Sequence, residues 1–303
     1  MKNLIKISIL SLLFLMTACQ IGPKQKAQVI SSKVIYGEDN RIDTYKLNGG
    51  FWHEKVRAVA MKVRHRRMKK QSNGMIRLIG ARLKKSKMMC DDEKFVGQRL
   101  NAECSGFLIG DDLLATAGHC VKDEFDCKNF SWVFDYDLKG PEDKKYHIIP
   151  EKNFYKCKKI ISSVYKKHKD LDFAIIQLDK KVTDRTPLTL RKKDKIKTGT
   201  KLTIIGHPSG LPKKFANGAE VIKNSNNIFF KANLDSFQIN SGSPVFNEET
   251  GIVEGILVRG DTDYHWAYQD KCNRVNTIKW DCKERDCRLE DVTRITALPK
   301  SLL

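Results

Sequence analysis

From Cys104 onward the chain alternates short apolar runs with turn residues, the pattern of β-barrels rather than of packed helices. Residues 105–109 and 112–117 flank a turn at Gly110-Asp111, and Trp132-Val133-Phe134 and His147-Ile148-Ile149 follow. In the second half come residues 201–205, a turn from Gly206 to Gly210, then 228–230 and 252–258. Residues 187–197, rich in lysine, read as a connector between two lobes. Residues 52–70 break this rhythm: Trp52, Val56, Val59, Ala60 and Val63 recur at spacings of three and four, which predicts a surface helix with its Lys and Arg residues mostly off the apolar stripe. No internal repeat or low-complexity tract is visible.

The N-terminus reads as a targeting segment. Lys2 and Lys6 precede an apolar stretch over residues 7–16, which ends in Leu15-Met16-Thr17-Ala18-Cys19. That ending resembles a bacterial lipobox, in which the cysteine is lipidated on its thiol and becomes the first residue. The expected organisation is a signal peptide over residues 1–18, a polar tether over 19–33 and a folded domain over 34–303. Gln20 after the lipid cysteine suits outer-membrane sorting in a Gram-negative host. Elsewhere no apolar run is long enough to span a bilayer.

Net charge is +20, from 56 Lys and Arg against 36 Asp and Glu, and removal of residues 1–18 leaves about +18. Such a balance favours anionic surfaces, including a surface polymer. No nucleic-acid-binding motif is present, so specific nucleic-acid recognition is not expected. Of nine cysteines, lipidation of Cys19 leaves eight, an even set that in an exported chain reads as disulfides. The spacing of Cys272, Cys282 and Cys287 fits no paired zinc pattern, so no metal is expected.

The candidate chemistry centres on residues 234–247, where Ser241 sits in the turn Asn240-Ser241-Gly242-Ser243-Pro244 between apolar runs. A hydroxyl is a poor nucleophile until a base removes its proton. Two further segments supply the missing groups. Leu113-Leu114-Ala115-Thr116-Ala117-Gly118-His119-Cys120 places a histidine at the end of an apolar strand, and Leu171-Asp172-Phe173-Ala174-Ile175 places an acid at the head of another. His119 alone among seven histidines has this setting. Asp170 is the alternative acid, two residues before Asp172.

Together these segments resemble the chymotrypsin-like serine proteases, which carry the same TA(A/G)HC, D-apolar-A and SGxP motifs in the same order. The turn is similar to that of the bacterial glutamyl-endopeptidase branch. The resemblance covers roughly residues 90–290 and implies an all-β fold of two antiparallel six-stranded barrels, at about 90–185 and 195–290, with an N-terminal helical extension. It implies His119 as general base, Asp172 as its orienting acid and Ser241 as nucleophile, with Ser243 a bystander. It further implies a Cys104–Cys120 bridge and an oxyanion hole from the N–H groups of Ile239 and Ser241. The family has glycine where this chain has Ile239, so either the turn is remodelled or the activity is low.

Two segments bear on specificity and maturation. Asp235 lies six residues before Ser241, at the family's pocket floor, and Gly260 stands where an open pocket wall is needed; together they imply cleavage after Lys or Arg. Leu257 after Gly255-Ile256 does not supply the histidine that meets glutamate in glutamyl endopeptidases. Val34-Ile35-Tyr36-Gly37 resembles the opening of the mature enzymes, and a cut after Lys33 would release the domain from its anchor. In the digestive enzymes the new amine pairs with an Asp, a pairing the neutral Asn240 does not offer, so this segment also reads simply as a strand. The chain is therefore expected to be an exported, lipid-anchored serine endopeptidase of the bacterial envelope, acting on proteins or peptides without a cofactor. The alternative is a weak or inactive binding protein on the same fold that holds an anionic surface partner.

Overall fold

In the computed structural model, which describes residues 35–302 apart from 48, 166–170, 261 and 279–287, twelve strands close into two barrels. The first uses β1 (Val59–Arg64), β2 (Cys104–Leu108), β3 (Leu113–Thr116), β4 (Phe130–Val133), β5 (Phe154–Tyr165) and β6 (Asp172–Leu178). The second uses β7 (Lys201–Gly206), β8 (Lys214–Lys223), β9 (Phe229–Ala232), β10 (Pro244–Asn247), β11 (Val253–Arg259) and β12 (Glu290–Arg294). Around the rings the orders are β1-β2-β3-β6-β5-β4 and β7-β8-β9-β12-β11-β10, and every neighbouring pair is antiparallel. The halves thus repeat one topology without a repeat in sequence. Closure leaves no free edge within either ring.

The helix expected over residues 52–70 is cut short. Helix α1 spans Phe51–Arg57 only, and Val59–Arg64 is the opening strand of the first barrel. Val59, Ala60 and Val63 fit both a helical stripe and a strand, and the barrel decides between them. In the strand Val59, Met61 and Val63 point to one face and Ala60 and Lys62 to the other, and all five are buried. Lys62, counted from sequence on a polar face, is 4% exposed; its Nζ donates to Asp126 at 2.8 Å and lies 3.7 Å from the Phe130 ring centroid. The first barrel therefore begins near residue 59, not near 90.

The largest apolar cluster runs between the barrels. Phe107, Trp132, Phe173 and Ile175 of the first half share it with Phe215, Phe246 and Ile256 of the second. Trp52 of α1 joins this seam edge-on, with ring centroids 5.4 Å from Phe215 and 5.5 Å from Phe246. Ile204, Val221, Phe230 and Val292 fill the second barrel. Outside the rings, Met68–Lys70, Met75–Leu78 and Ile148–Pro150 form a three-stranded sheet, and Ile35–Tyr36 pairs in parallel with Thr277–Ile278.

Three disulfides are present among the described residues: Cys90–Cys272, Cys104–Cys120 and Cys127–Cys157. Cys272 is thereby engaged in a bridge, while Cys282 and Cys287 lie outside the described residues. So do Cys19, the tether and Lys33. No helix of the described residues is long and apolar enough to cross a membrane.

Candidate active site

His119, the expected base, is delivered by the end of β3. After Thr116 the chain makes a single 3-10 turn, Gly118–Cys120, which turns the His119 ring toward the head of β6. Gly118 permits this because a Cβ there would lie 2.1 Å from the carbonyl oxygen of Val164 on β5. Asp172, 1% exposed at the first position of β6, grips His119 twice. One oxygen accepts from the His119 backbone N–H at 3.0 Å and the other lies 2.8 Å from Nδ1. With Nδ1 so engaged, Nε2 is the ring nitrogen left to take a proton. The Thr293 hydroxyl of β12 donates to the Asp172 carbonyl at 3.1 Å, tying the acid's backbone to the second barrel. The Tyr165 ring meets the imidazole edge-on at 5.8 Å. Thr293 and Tyr165 had no motif to announce them. The competing Asp170 lies outside the described residues.

Ser241 arrives from the other barrel, on the loop between β9 and β10. Its carbonyl oxygen accepts from Ser105 N–H on β2 at 2.8 Å and lies 3.8 Å from Cys120 Sγ. Cys120 is the residue after His119 and is bridged to Cys104, the residue before Ser105. The disulfide therefore joins the strand that holds the Ser241 backbone to the turn that carries the imidazole. Behind Ser241, Gly242 sits at φ +88°, and a Cβ there would lie 2.0 Å from the Ser105 carbonyl oxygen. Only glycine fits this crossing. Ser243 is fully buried with its hydroxyl donating to Asn240 Oδ1 at 2.9 Å, so its role is internal.

Ile239 keeps the glycine-like turn rather than remodelling it. Its φ is +73°, and the Asn240 N–H returns to the Phe237 carbonyl at 3.0 Å, a four-residue turn with its third residue in the left-handed region. For a β-branched residue this is a genuine outlier, costing roughly 1–2 kcal/mol. The compensation is visible: the Ile239 side chain packs against the apolar cluster of Met61, Val63, Ile76, Leu78 and Tyr136.

Beside Ser241 lies a cavity of about 190 Å³, walled by Phe237, Gln238, Ile239, Leu257 and Gly260, with the Glu290 carboxylate in its lining. Asp235, expected at the pocket floor, is not in this lining. Its two oxygens accept the backbone N–H groups of Tyr36 at 3.0 Å and Asn40 at 2.9 Å, so it fastens the N-terminal segment behind the pocket. Burial pushes its pKa up to about 6, against the partial relief of those two bonds. The spacing to Ser241 placed an acid in the right loop, but the Tyr36 and Asn40 amides hold it away from the cavity. Glu290, at the head of β12, occupies the space beside Gly260, where a Cβ would lie 2.0 Å from Glu290 Oε2; the Ser236 hydroxyl donates to that same oxygen at 3.1 Å. Asp263 also borders the cavity and accepts the Gln238 N–H at 3.0 and 3.1 Å. Sequence reasoning missed Glu290, because only the pairing of β11 with β12 brings it opposite Gly260.

The model of the trypsin-like peptidase domain matches residues 104–256, 153 of the 303 residues, and the chain belongs to that family. Among solved structures, the VesB protease of Vibrio cholerae is similar over 86% of this chain and 64% of its own, at 14% identity and a TM-score of 0.50. The chain thus spans 64% of the length of that protease. Human heparin binding protein is similar over 80% of this chain and 88% of its own, at 14% identity and a TM-score of 0.49. A Glu endopeptidase is similar over 87% and 94%, at 15% identity and a TM-score of 0.48. At such identities the likeness is one of fold. No curated protein matches the chain.

Proposed function

We propose that the protein is an exported, lipid-anchored serine endopeptidase that hydrolyses peptide bonds through Ser241, His119 and Asp172. The observation that carries this reading is the double grip of Asp172 on His119, which presets the imidazole tautomer and orientation a general base needs. Ser241 Oγ attacks the scissile carbonyl as His119 Nε2 takes its proton. The N–H groups of Ile239 and Ser241 receive the developing oxyanion, and the imidazolium then protonates the leaving amine. Water activated by the same imidazole cleaves the acyl-enzyme.

Preference for Lys or Arg before the scissile bond rests on Glu290 rather than Asp235. A carboxylate lining a small cavity, here beside Asp263 and with Arg259 of the same lining paired to Asp291 at 3.0 Å, favours a cationic side chain through a charge-assisted contact of roughly 1.5–3 kcal/mol. The anchor at Cys19 and a bacterial envelope location, with release by a cut near Lys33, belong to the same reading and rest on the N-terminal motif.

Ile239 was the residue that favoured the alternative, a silent binding protein. Its glycine-like φ of +73° supports the enzyme instead. Incubation with a serine-directed phosphonate probe tests the proposal: covalent labelling at Ser241 is expected, and an unlabelled, folded protein would refute it. Peptide-library profiling tests the pocket, where a preference for Glu or for large apolar residues would remove the Lys/Arg assignment.

A further inference from the structure

Residues 64–89 hold ten Lys and Arg and no Asp or Glu, half of the net charge of +20 in one short insertion between β1 and β2. The sheet made by Met68–Lys70, Met75–Leu78 and Ile148–Pro150 organises the first part of this charge. Alternation of burial is clear along Met75–Leu78 and Ile148–Pro150. Ile76, Leu78 and Ile149 are buried in the cluster against the first barrel. The residues between them therefore face outward. On that outer face Lys69 stands directly opposite Arg77, Arg77 is next to Ile148, and Met75 is next to Pro150. The ladder continues with the Ile79 N–H donating to the Arg67 carbonyl at 2.9 Å, which adds an arginine and an isoleucine to the same face.

Two features of this face are unfavourable in the isolated protein. Like charges directly opposite on paired strands repel, and among the described residues neither Lys69 nor Arg77 has an ion-pair partner. Acids nearby are taken by other cations: Glu103 by Arg64 at 3.2 Å and Arg67 at 3.9 Å, and Glu151 by Lys70. Ile79, paired with Arg67 at the end of the ladder, leaves 54% of its surface bare. A soluble polyanion would satisfy the cations and leave Ile79 in water. An anionic bilayer satisfies both, with cations among the phosphates and the apolar side chain at the acyl boundary.

We propose that the outer face of this three-stranded sheet is a docking surface for a membrane rich in anionic phospholipid. The three strands contribute no acid, and the face sets Lys69 and Arg77 beside the exposed Ile79. The inference is independent of the peptidase reading, since none of its residues belongs to the site.

Amide hydrogen exchange of the full chain with lipid vesicles tests it, because the readout is local to residues 66–79 whatever other segments do at a membrane. Vesicles of phosphatidylcholine mixed with phosphatidylglycerol should protect these amides, and vesicles of phosphatidylcholine alone should not. Doubling the ionic strength should weaken the protection. The double variant Lys69→Glu, Arg77→Glu alters two exposed side chains and should keep the parent's thermal midpoint while weakening vesicle binding at this face by at least about 30-fold. Ile79→Ser should weaken it severalfold without changing charge. Heparin is the opposing probe. Equal protection of residues 66–79 by heparin, with no effect of Ile79→Ser, would make this a polyanion site and overturn the membrane assignment. Absence of protection by phosphatidylglycerol vesicles would overturn it outright.

Discussion

The two sides of the cleft are built in different ways. On the first barrel, His119 and Asp172 sit at strand ends, and the hydrogen bonds of Asp172 and the Cys104–Cys120 bridge hold the histidine turn in place. On the second barrel, Ser241 lies two residues after an isoleucine at φ +73°, and the cavity beside it takes its carboxylate from an unexpected strand. The His119 turn is held by a side-chain carboxylate and a disulfide. The Ser241 loop is held by backbone hydrogen bonds, among them Ser105 N–H to the Ser241 carbonyl and Asn240 N–H to the Phe237 carbonyl, and by the packing of Ile239. The Asp172–His119 pair thus keeps the contacts its motifs imply, while the Ile239 turn and the carboxylate of the cavity depart from what the motifs imply.

Four measurements would break or sharpen that contrast. Replacement at the two reacting groups should have the largest effect: Ser241→Ala or His119→Ala should each lower kcat by about a millionfold in a folded protein. Retained hydrolysis in a clean Ser241→Ala preparation would end the mechanism. The oxyanion turn comes next. Ile239→Pro removes the N–H and, with φ fixed near about −65°, also breaks the turn at +73°, so kcat should fall by at least the hundred- to thousandfold of one donor. Ile239→Gly keeps the donor at a φ that glycine adopts freely, so its rate should stay within a fewfold. If the two variants behaved alike, the donor role of residue 239 would fall.

The third measurement concerns Asp235. In the unfolded chain its carboxyl titrates near 3.8, and in the fold near 6. Between those values the folded state still holds a proton that the unfolded state has lost. The contribution of Asp235 to stability is thus complete below about pH 4 and is lost as the pH rises toward 6, by up to about 3 kcal/mol. Asp235→Asn should remove that sloping component from a denaturant-midpoint series between pH 4 and 7. It should leave the preference before the scissile bond untouched, in contrast to the fourth change. Glu290→Gln should reduce discrimination for Lys and Arg by about tenfold to a hundredfold. A shift of specificity in Asp235→Asn, with none in Glu290→Gln, would restore Asp235 to the pocket.

What could be read in the sequence follows the same division. Strands β2, β3, β6, β7 and β11 were legible because each is a short apolar run between turn residues, and Ser241, His119 and Asp172 lie in local motifs attached to such runs. Strand β1 was not legible, since Val59, Ala60 and Val63 satisfy the helical and the extended periodicity alike, and only the closing of the barrel over Met61 and Lys62 decides. Glu290 and Asp235 exchanged expectations for a related reason. Spacing along the chain gives the distance to Ser241, but which carboxylate lines the cavity depends on where Tyr36 and Asn40 put their N–H groups and on how β12 registers against β11.

The bridge between Cys90 and Cys272 joins residues 182 apart in sequence, enclosing most of both barrels and the lysine-rich connector at 187–197. For a chain with 56 Lys and Arg that is proposed to cut after those residues, this has a bearing on damage rather than on folding. A nick in the connector would leave one fragment holding Cys90 and the other holding Cys272, still joined through sulfur. Such a molecule would run as a single band until a reductant was added and as two bands afterwards. Wear by its own kind would scar the enzyme before it took it apart.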